Sequence, residues 1–376
     1  MITLVDTTLR DGEQSPGVSF TVKEKVEIAS LLSSIGINEM EVGTPVMGGN
    51  EAQAVKEIIG MNLPSRILTW NRVLERDIEA ALSCGAKALY ISCPVSDIQI
   101  EKKLGKKREW VKERFSKLIP ELKKEGLYVA CGLEDASRAN PHFVLEISSL
   151  LEGLAVDRIR FCDTVGILTP FKTFELIGFL RKYIKTPLEI HTHNDFGLAT
   201  ANAIAGVKGG ADYVSVTVNG LGERAGNASL EETVMALERL EDIKTSVDTT
   251  RLKEVSLLVS VLSGRPVGYG KAIVGDYIFA HESGIHVDGV IKAPACYEPF
   301  PPEMVGAERH YIIGKHSGIS SIIYKFKSLG ITINREDAAI MLPLIRRMAE
   351  EKMPLTDSEL PDLYIPTLAG QRGLFY

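Results

Sequence analysis

The chain has 376 residues, of which 45% are hydrophobic and 24% are charged, and its formal net charge is −6. This composition is typical of a folded globular protein and unlike that of a disordered chain. A mildly acidic chain has no general attraction for nucleic acid or anionic membranes, so we expect small-molecule substrates and neither of those partners.

The N-terminus and the cysteines indicate a cytoplasmic location. The segment Met1–Asp6 lacks the basic start and long apolar stretch of a signal peptide, and no apolar run approaches the length of a membrane span. The five cysteines are odd in number and contain no C-x-x-C pair. This pattern predicts reduced thiols and argues against both a disulfide framework and a structural zinc site.

The first two thirds of the chain alternates short β-type runs with helical patterns. The first helical pattern begins with a capping box, Thr21 with Glu24 three residues later. Strands of this length between helices predict parallel βαβ units, and eight units favour a closed TIM (β/α)8 barrel over an open doubly wound sheet. The candidate strands are 2–6, 37–43, 65–70, 86–92, 127–133, 156–162, 187–193 and 212–218, and the helix-like stretches between them include 21–35, 50–60, 74–84, 107–125 and 170–184.

The alternation of strand and helix patterns ends after residue 265, and the sequence predicts three parts. Residues 1–263 would form the catalytic barrel. Residues 264–318 are rich in Gly, Pro and His and are interpreted as a linker or lid subdomain. Helical patterns at 318–329 and 335–352 predict a small, mostly helical C-terminal subdomain over 319–376.

Polar residues concentrate just after the predicted strands, where a barrel carries its active site. His191 and His193 are two apart on a strand, so their side chains point to the same side. Asp11 could complete a ligand set for one divalent ion, and such a set suits Zn, Mn, Fe or Co better than Mg. Asn227 is a further candidate ligand, although turn geometry also explains it. A His-x-His pair alone more often marks two ordinary histidines, but the strand placement favours a metal site.

Two charged residues beside this site have open interpretations. Arg10 could stabilise a developing oxyanion. Glu134 could be an acid–base group, or it could pair with Arg160 or Arg10. The alternative for Arg10 is a structural ion pair with Asp6, Glu41 or Glu134.

Two further features lie outside the proposed metal set. His286 and Tyr297 lie in the Gly/Pro-rich part and could form a lid that supplies a proton-transfer group, or could pack within a linker. The basic stretch 102–108 follows the fourth strand and could meet the phosphates of a bulky anionic ligand, although most such runs are solvated surface.

Five motifs follow one another along the chain: Asp6–Gln14, His191–Asp195, the glycine-rich segment 219–227, Gly284–His286 and Gly314–Gly318. In this order they resemble the metal-dependent acyl transferases with the Asp-Arg-Glu TIM-barrel signature, a group that includes 2-isopropylmalate, citramalate and homocitrate synthases. The resemblance covers nearly the whole chain.

Three other stretches, Pro94–Asp97, Glu134–Arg138 and Arg160–Gly166, look most like homocitrate synthases of the nitrogen-fixation type. This resemblance implies condensation of acetyl-CoA, as co-substrate, with 2-oxoglutarate to give homocitrate. The alternative acceptors in the group are 2-oxoisovalerate and pyruvate.

The resemblance also implies a divalent metal ion (Mg, Mn, Zn, Co or Fe) and a homodimer with shared active sites, in which residues 286–297 reach into the partner's barrel. The implied site residues are Asp11, His191, His193 and Asn227 at the metal; Arg10, Thr164 and Arg72 at the substrate; and Arg10, Glu134, His286 and Tyr297 in catalysis.

One position departs from the lysine-pathway homocitrate synthases. Those enzymes carry an arginine four residues before the glutamate that matches Glu134, where it holds the distal carboxylate of 2-oxoglutarate. Here that position is Ala130. Another group must hold this carboxylate, or the substrate lacks it, and Arg72 and Arg138 are the available candidates.

Overall fold

A computed structural model describes residues 1–353, 355–356 and 358–364. The chain forms two compact units, Met1–Val267 and the part from Gly268 onward. The predicted separation of 264–318 from 319–376 stays a prediction, and the end of that last segment, 365–376, lies outside the described residues.

Eight strands close into a barrel in chain order. The ring is closed by β1 (Thr3–Asp6) and β8 (Tyr213–Val216), which pair in parallel with Val5 opposite Ser215. An open sheet has no such closing pair, so the predicted TIM barrel is confirmed. The other strands are β2 Glu39–Glu41, β3 Arg66–Arg72, β4 Ala88–Pro94, β5 Tyr128–Glu134, β6 Arg158–Asp163 and β7 Leu188–Thr192.

Helices connect the strands as the sequence pattern predicts. At the first helix, the Thr21 side chain accepts a hydrogen bond from the backbone N–H of Glu24, and Glu24 Oε2 accepts one from the backbone N–H of Thr21, which confirms the capping box. The same helix buries Ile28 and Leu32. The α-helices of this unit are α1 Val22–Ser34, α2 Gly49–Gly60, α3 Glu75–Ser83, α4 Arg108–Lys124, α5 Pro141–Gly153, α6 Pro170–Arg181, α7 Ala199–Lys208, α8 Leu230–Leu240 and α9 Leu252–Ser263.

The inside of the barrel has an apolar side on strands β3 to β5. Leu68, Ala88, Tyr90 and Ala130 form a buried cluster there, against which Trp70 packs. The inward positions of β2, β6 and β7 carry charged residues instead. Because charges at these positions are removed from water, each needs a partner inside the barrel.

The α-helices of the second unit include α10 Gly284–Lys292, α11 Ile319–Ser328 and α12 Arg335–Glu350, and residues 360–364 are also helical. A two-stranded parallel sheet joins β9 (Ala280–His281) to β10 (His310–Tyr311). The core of this unit includes Ile322 and Phe326 of α11 and Met341 and Ile345 of α12, which confirms the helical C-terminal region. Over the described residues, no helix is both long and apolar enough to cross a membrane.

Candidate active site

A cavity of about 240 Å³ lies among the carboxyl ends of the barrel strands. Its walls come from β3 to β7 and from the loops that follow β1, β4, β6, β7 and β8. The lining side chains are Arg10, Asp11, Gln14, Trp70, Tyr90, Ser92, Lys103, Glu134, Arg160, Cys162, Thr164, His191, His193, Glu223 and Arg224.

Three of these side chains form a buried cluster of metal-ligand type. Nε2 of His191 lies 3.1 Å from Nε2 of His193 and 3.3 Å from Oδ2 of Asp11. The three ligand atoms lie within 4.8 Å of one another. Strand β7 places the two imidazoles on one side because they are two residues apart. The sequence-predicted convergence of these residues is therefore present in the fold.

Asn227 lies next to this cluster along the backbone, where it forms an isolated bridge with His193. Its Nδ2 donates to the carbonyl oxygen of Leu221, and its buried Oδ1 has no hydrogen-bond partner among the described residues. A Cβ atom on Gly222 would lie 2.2 Å from Nδ2 of Asn227, so glycine is required for this side chain to fit. The amide oxygen is thus left available as an acceptor.

The cluster fits a divalent first-row ion. Two nitrogen ligands of one such ion, each at about 2.1 Å, stand roughly 3 Å apart, which matches the separation of the two Nε2 atoms. Burial lowers the pKa of His193 to about 4, and the neighbouring His191 adds to this shift, so the His193 imidazole is neutral. The pKa of Asp11 is well below its ordinary value because Arg10 and His191 outweigh the effect of burial. Neutral imidazole and ionised carboxylate are the forms that bind metal.

Arg10 forms a structural ion pair, one of the two roles that the sequence left open, and its role at an oxyanion stays a prediction. Its Nε and Nη2 each lie 2.9 Å from Oε2 of Glu41, and its Nη1 lies 3.1 Å from Oδ2 of Asp11. Burial opposes the charge, but the Asp11 and Glu41 carboxylates outweigh it and raise the pKa of Arg10. A permanent cation is therefore fixed at the cavity wall beside the metal cluster. Of the structural partners considered from the sequence, Glu41 is the one observed.

Glu134 and Thr164 both line the cavity. Oε1 of Glu134 lies 2.6 Å from Nζ of Lys103, so its ion-pair partner is neither Arg160 nor Arg10. Lys103 belongs to the basic stretch after β4, which contributes this one side chain to the cavity wall. Oγ1 of Thr164 accepts a hydrogen bond from the backbone N–H of Asp135, which leaves the threonine hydroxyl hydrogen as a donor.

Neither arginine named as a substitute anchor lines the cavity. Asp77 holds the guanidinium of Arg72 through two hydrogen bonds of 2.8 and 2.9 Å. Asp135 holds that of Arg138 in the same way, at 2.8 Å from Nε and 2.8 Å from Nη2. Both side chains are thus already paired away from the site.

The sequence reasoning assigned no role to a network of charges at the base of the cavity. Arg160 is fully buried, with Nε 2.7 Å from Glu189 and Nη2 bonded to Glu41. Arg158, two residues earlier, is also fully buried and pairs with Glu39 and Glu189. The sequence does contain a signal for this network, namely charged residues at alternate positions of a predicted buried strand. Such residues are rarely buried without a partner.

Cys162 lies above this network and lines the cavity, but it is not a reactive thiol. Burial raises its pKa to about 12, and its sulfur lies 3.6 Å from the hydroxyl of Tyr90. Burial therefore favours the thiol over the thiolate at neutral pH, which disfavours a nucleophilic role for this side chain. The five cysteines are all free, in agreement with the sequence.

Comparison with known proteins gives the family. A family model described as HMGL-like matches residues 1–259, and one described as homocitrate synthase post-HMGL domain-like matches residues 273–353. The chain is 51% identical to 2-isopropylmalate synthase 2 of Caldanaerobacter subterraneus subsp. tengcongensis, over 96% of this chain and 94% of that protein. It is 47% identical to homocitrate synthase 1 of Nostoc sp., over 95% of each. The chain belongs to the 2-isopropylmalate and homocitrate synthase family.

Membership of this synthase family makes the chain an enzyme of the acyltransferase type that carries out a condensation. Similarity to a solved structure, the HMG-CoA lyase of Bacillus subtilis, has a TM-score of 0.64 at 20% identity and covers 71% of this chain and 95% of that one. At this identity the likeness supports the barrel fold alone. The two synthases named above are named for different products, so family membership alone does not give the acceptor.

Two residues that the synthase resemblance implies in catalysis lie in the second unit. The rings of His286 and Tyr297 are 4.3 Å apart between centroids and tilted by 34°. His286 is exposed, and Tyr297 is 43% exposed. The second unit thus brings these two side chains together, and their role as a proton-transfer pair stays a prediction.

Proposed function

We propose that this protein condenses acetyl-CoA with 2-oxoglutarate to give homocitrate and CoA, with a divalent metal ion as cofactor. The observation that supports this reaction class is the buried cluster of Asp11, His191 and His193 beside Arg10 in one cavity. Asp11, His191, His193 and Asn227 would hold the ion. When bound, a divalent ion supplies Lewis acidity and a template for a 2-oxo acid.

The residues of the chain have distinct tasks in this proposal. A base, with His286 supported by Tyr297 and Glu134 as the candidate, takes a proton from the methyl group of acetyl-CoA. The resulting carbanion carbon forms a bond to the keto carbon of the 2-oxo acid, and the keto oxygen becomes an alkoxide. Arg10 offsets the charge on that oxygen, because its guanidinium is fixed at the cavity wall before the reaction. The alkoxide is then protonated, and water cleaves the thioester to release CoA.

The cavity wall supports a dicarboxylic acceptor. Four cationic and three carboxylate side chains line it, whereas only Trp70, Tyr90 and Cys162 among the lining residues are mainly apolar. The isopropyl group of 2-oxoisovalerate would lie against charged and polar groups whose hydration it cannot replace. A second carboxylate would instead be stabilised by a cation. The lining cations are Arg10, Lys103, Arg160 and Arg224.

The test is a thiol-release assay with acetyl-CoA and three acceptors: 2-oxoglutarate, pyruvate and 2-oxoisovalerate. The metal-loaded enzyme should show the largest kcat/KM with 2-oxoglutarate, and mass spectrometry should identify homocitrate. A larger kcat/KM with either monocarboxylate would show that the acceptor is wrong. No thiol release with any 2-oxo acid would contradict the reaction itself.

A further inference from the structure

We propose that Arg160 holds the distal carboxylate of the 2-oxo acid and so determines the preference for a dicarboxylic acceptor, an inference that rests on the proposed function. Arg160 lies on β6, at the base of the cavity. It replaces, from a neighbouring strand, the arginine that lysine-pathway homocitrate synthases carry at the position of Ala130.

The guanidinium of Arg160 is fully buried, and two of its three nitrogens are paired with glutamates. Nε lies 2.7 Å from Oε1 of Glu189, and Nη2 donates to Oε1 of Glu41. The ring of Tyr90 lies against its face, with 3.8 Å between Cζ and the ring centroid. Nη1 is buried and has no hydrogen-bond acceptor among the described residues. Since buried polar groups are normally hydrogen-bonded, this nitrogen is the one that needs a further acceptor.

The depth of Arg160 in the barrel suits the length of 2-oxoglutarate. On β6, Cys162 lies beside His191 of the metal cluster, and Arg160 lies beside Glu189, two residues deeper. Two residues of a strand span about 7 Å, and the long arginine side chain shortens the remaining gap. The keto carbon and the distal carboxyl carbon are three C–C bonds apart, roughly 4 Å. A 2-oxo acid with its keto group at the level of His191 can therefore extend its distal carboxylate toward Nη1.

The other cationic side chains that line the cavity are already paired with carboxylates. Lys103 is paired with Glu134, and Arg224 makes two hydrogen bonds to Asp195, of 2.7 and 3.0 Å. Arg10 is divided between Asp11 and Glu41. Among the cationic residues that line the cavity, Arg160 is thus the one with a whole nitrogen left without an acceptor in the described part of the chain.

Space for this arrangement comes from Gly132, which lies beside Arg160 on the adjacent strand β5. A Cβ atom there would lie 1.7 Å from the hydroxyl oxygen of Tyr90. The absent side chain therefore lets the Tyr90 ring lie flat beneath the guanidinium. The tyrosine fixes the plane in which Nη1 is presented to a ligand.

The experiment compares Arg160→Lys with Arg158→Lys in the metal-loaded full-length protein. Arg158 is the matched control, because it is equally buried and shares Glu189 but does not line the cavity. Lysine keeps the positive charge, but its ammonium group cannot hydrogen-bond to two glutamates and a carboxylate ligand in the way that a planar guanidinium can. For Arg160→Lys, KM for 2-oxoglutarate should rise about 100-fold, whereas KM for acetyl-CoA and kcat/KM for pyruvate should change less than about threefold. Arg158→Lys should leave the ratio of 2-oxoglutarate to pyruvate turnover unchanged.

The outcomes separate this inference from the proposed function. If the wild-type enzyme does not prefer 2-oxoglutarate, the proposed function fails before any variant is made. If it does prefer 2-oxoglutarate but Arg160→Lys loses activity equally with all acceptors, or loses none, then Arg160 is a structural residue and the inference is overturned. An equal loss of selectivity in Arg158→Lys would overturn the inference as well.

A crystal structure of the metal-loaded wild-type protein with 2-oxoglutarate keeps the inference testable even if Arg160→Lys does not fold. The distal carboxylate should lie within hydrogen-bond distance of Nη1 of Arg160. A carboxylate bound instead to Lys103, Arg224 or Arg72 would overturn the inference.

Discussion

Restoring the arginine of the lysine-pathway enzymes, by Ala130→Arg, should damage this protein rather than improve it. Ala130 is fully buried in the apolar cluster with Leu68 and Tyr90. Its strand neighbours in register are Tyr90 on one side and Arg158 on the other. A guanidinium introduced here would meet apolar side chains and a second cation, while the glutamates of the barrel are already paired.

The expected cost has two parts. Filling the space around Ala130 with a larger side chain costs about 1–3 kcal/mol through overpacking. Burying a charge that has no free counter-charge adds about 3–5 kcal/mol. The total is comparable to the whole unfolding free energy of an ordinary domain, about 5–15 kcal/mol. Ala130→Arg should therefore lose a large share of its unfolding free energy.

Urea denaturation followed by circular dichroism measures this cost, with Ala130→Leu as the control for size alone. The leucine variant should fold with a modest loss of unfolding free energy, and the difference between the two variants should be about 3–5 kcal/mol. An arginine variant within about 1 kcal/mol of the leucine variant would refute the reasoning, because the barrel would then have a free counter-charge at this position.

Three further predictions concern the metal cluster and the assembly. A strong chelator should abolish activity, and single divalent metals should restore it. His191→Ala should fold without binding metal, as measured by elemental analysis. Full activity after demetallation would contradict the site. In the metal-free protein, the unfolded chain binds a proton at His193 near pH 6.5 that the folded chain, with its pKa lowered to about 4, does not bind. The unfolding free energy of the wild type should thus fall by about 3 kcal/mol relative to His193→Gln between pH 7.5 and pH 4, and parallel pH profiles would exclude this. Finally, a refolded mixture of Asp11→Ala and His286→Ala, each inactive alone, should recover roughly a quarter of wild-type activity if two subunits share each site, and should stay inactive if each site belongs to one chain.

The barrel and the metal cluster could be predicted from the sequence because both follow from periodicity. Eight β-type runs alternate with helical patterns, and the carboxyl ends of parallel strands must meet at one end of a barrel. Asp11, His191 and His193 each come just after or near the end of such a run, so their proximity follows from the fold. No contact between distant side chains had to be guessed.

The ion pairs could not be predicted in the same way, because they depend on side-chain reach across the barrel. The alternative to an acid–base role for Glu134 was an ion pair with an arginine, but the turn after β4 brings Lys103 to it instead. Arg160 was considered only as a partner of Glu134, whereas the register of the strands places it beside Glu189 and within reach of Glu41. Register is set by the closing of the whole barrel, which no local pattern encodes.

Glu41 accepts hydrogen bonds from both Arg10 and Arg160, and so ties the cation beside the metal cluster to the cation at the cavity base. The consequence is evolutionary. If a homologous enzyme changes its acceptor by losing the guanidinium at position 160, Glu41 and Glu189 lose the cation that they share. Glu41 also orients Arg10. Loss of the positive charge at position 160, unlike its replacement by lysine, would disturb both glutamates, so we expect positions 41 and 189 to change with it when homologous synthases diverge.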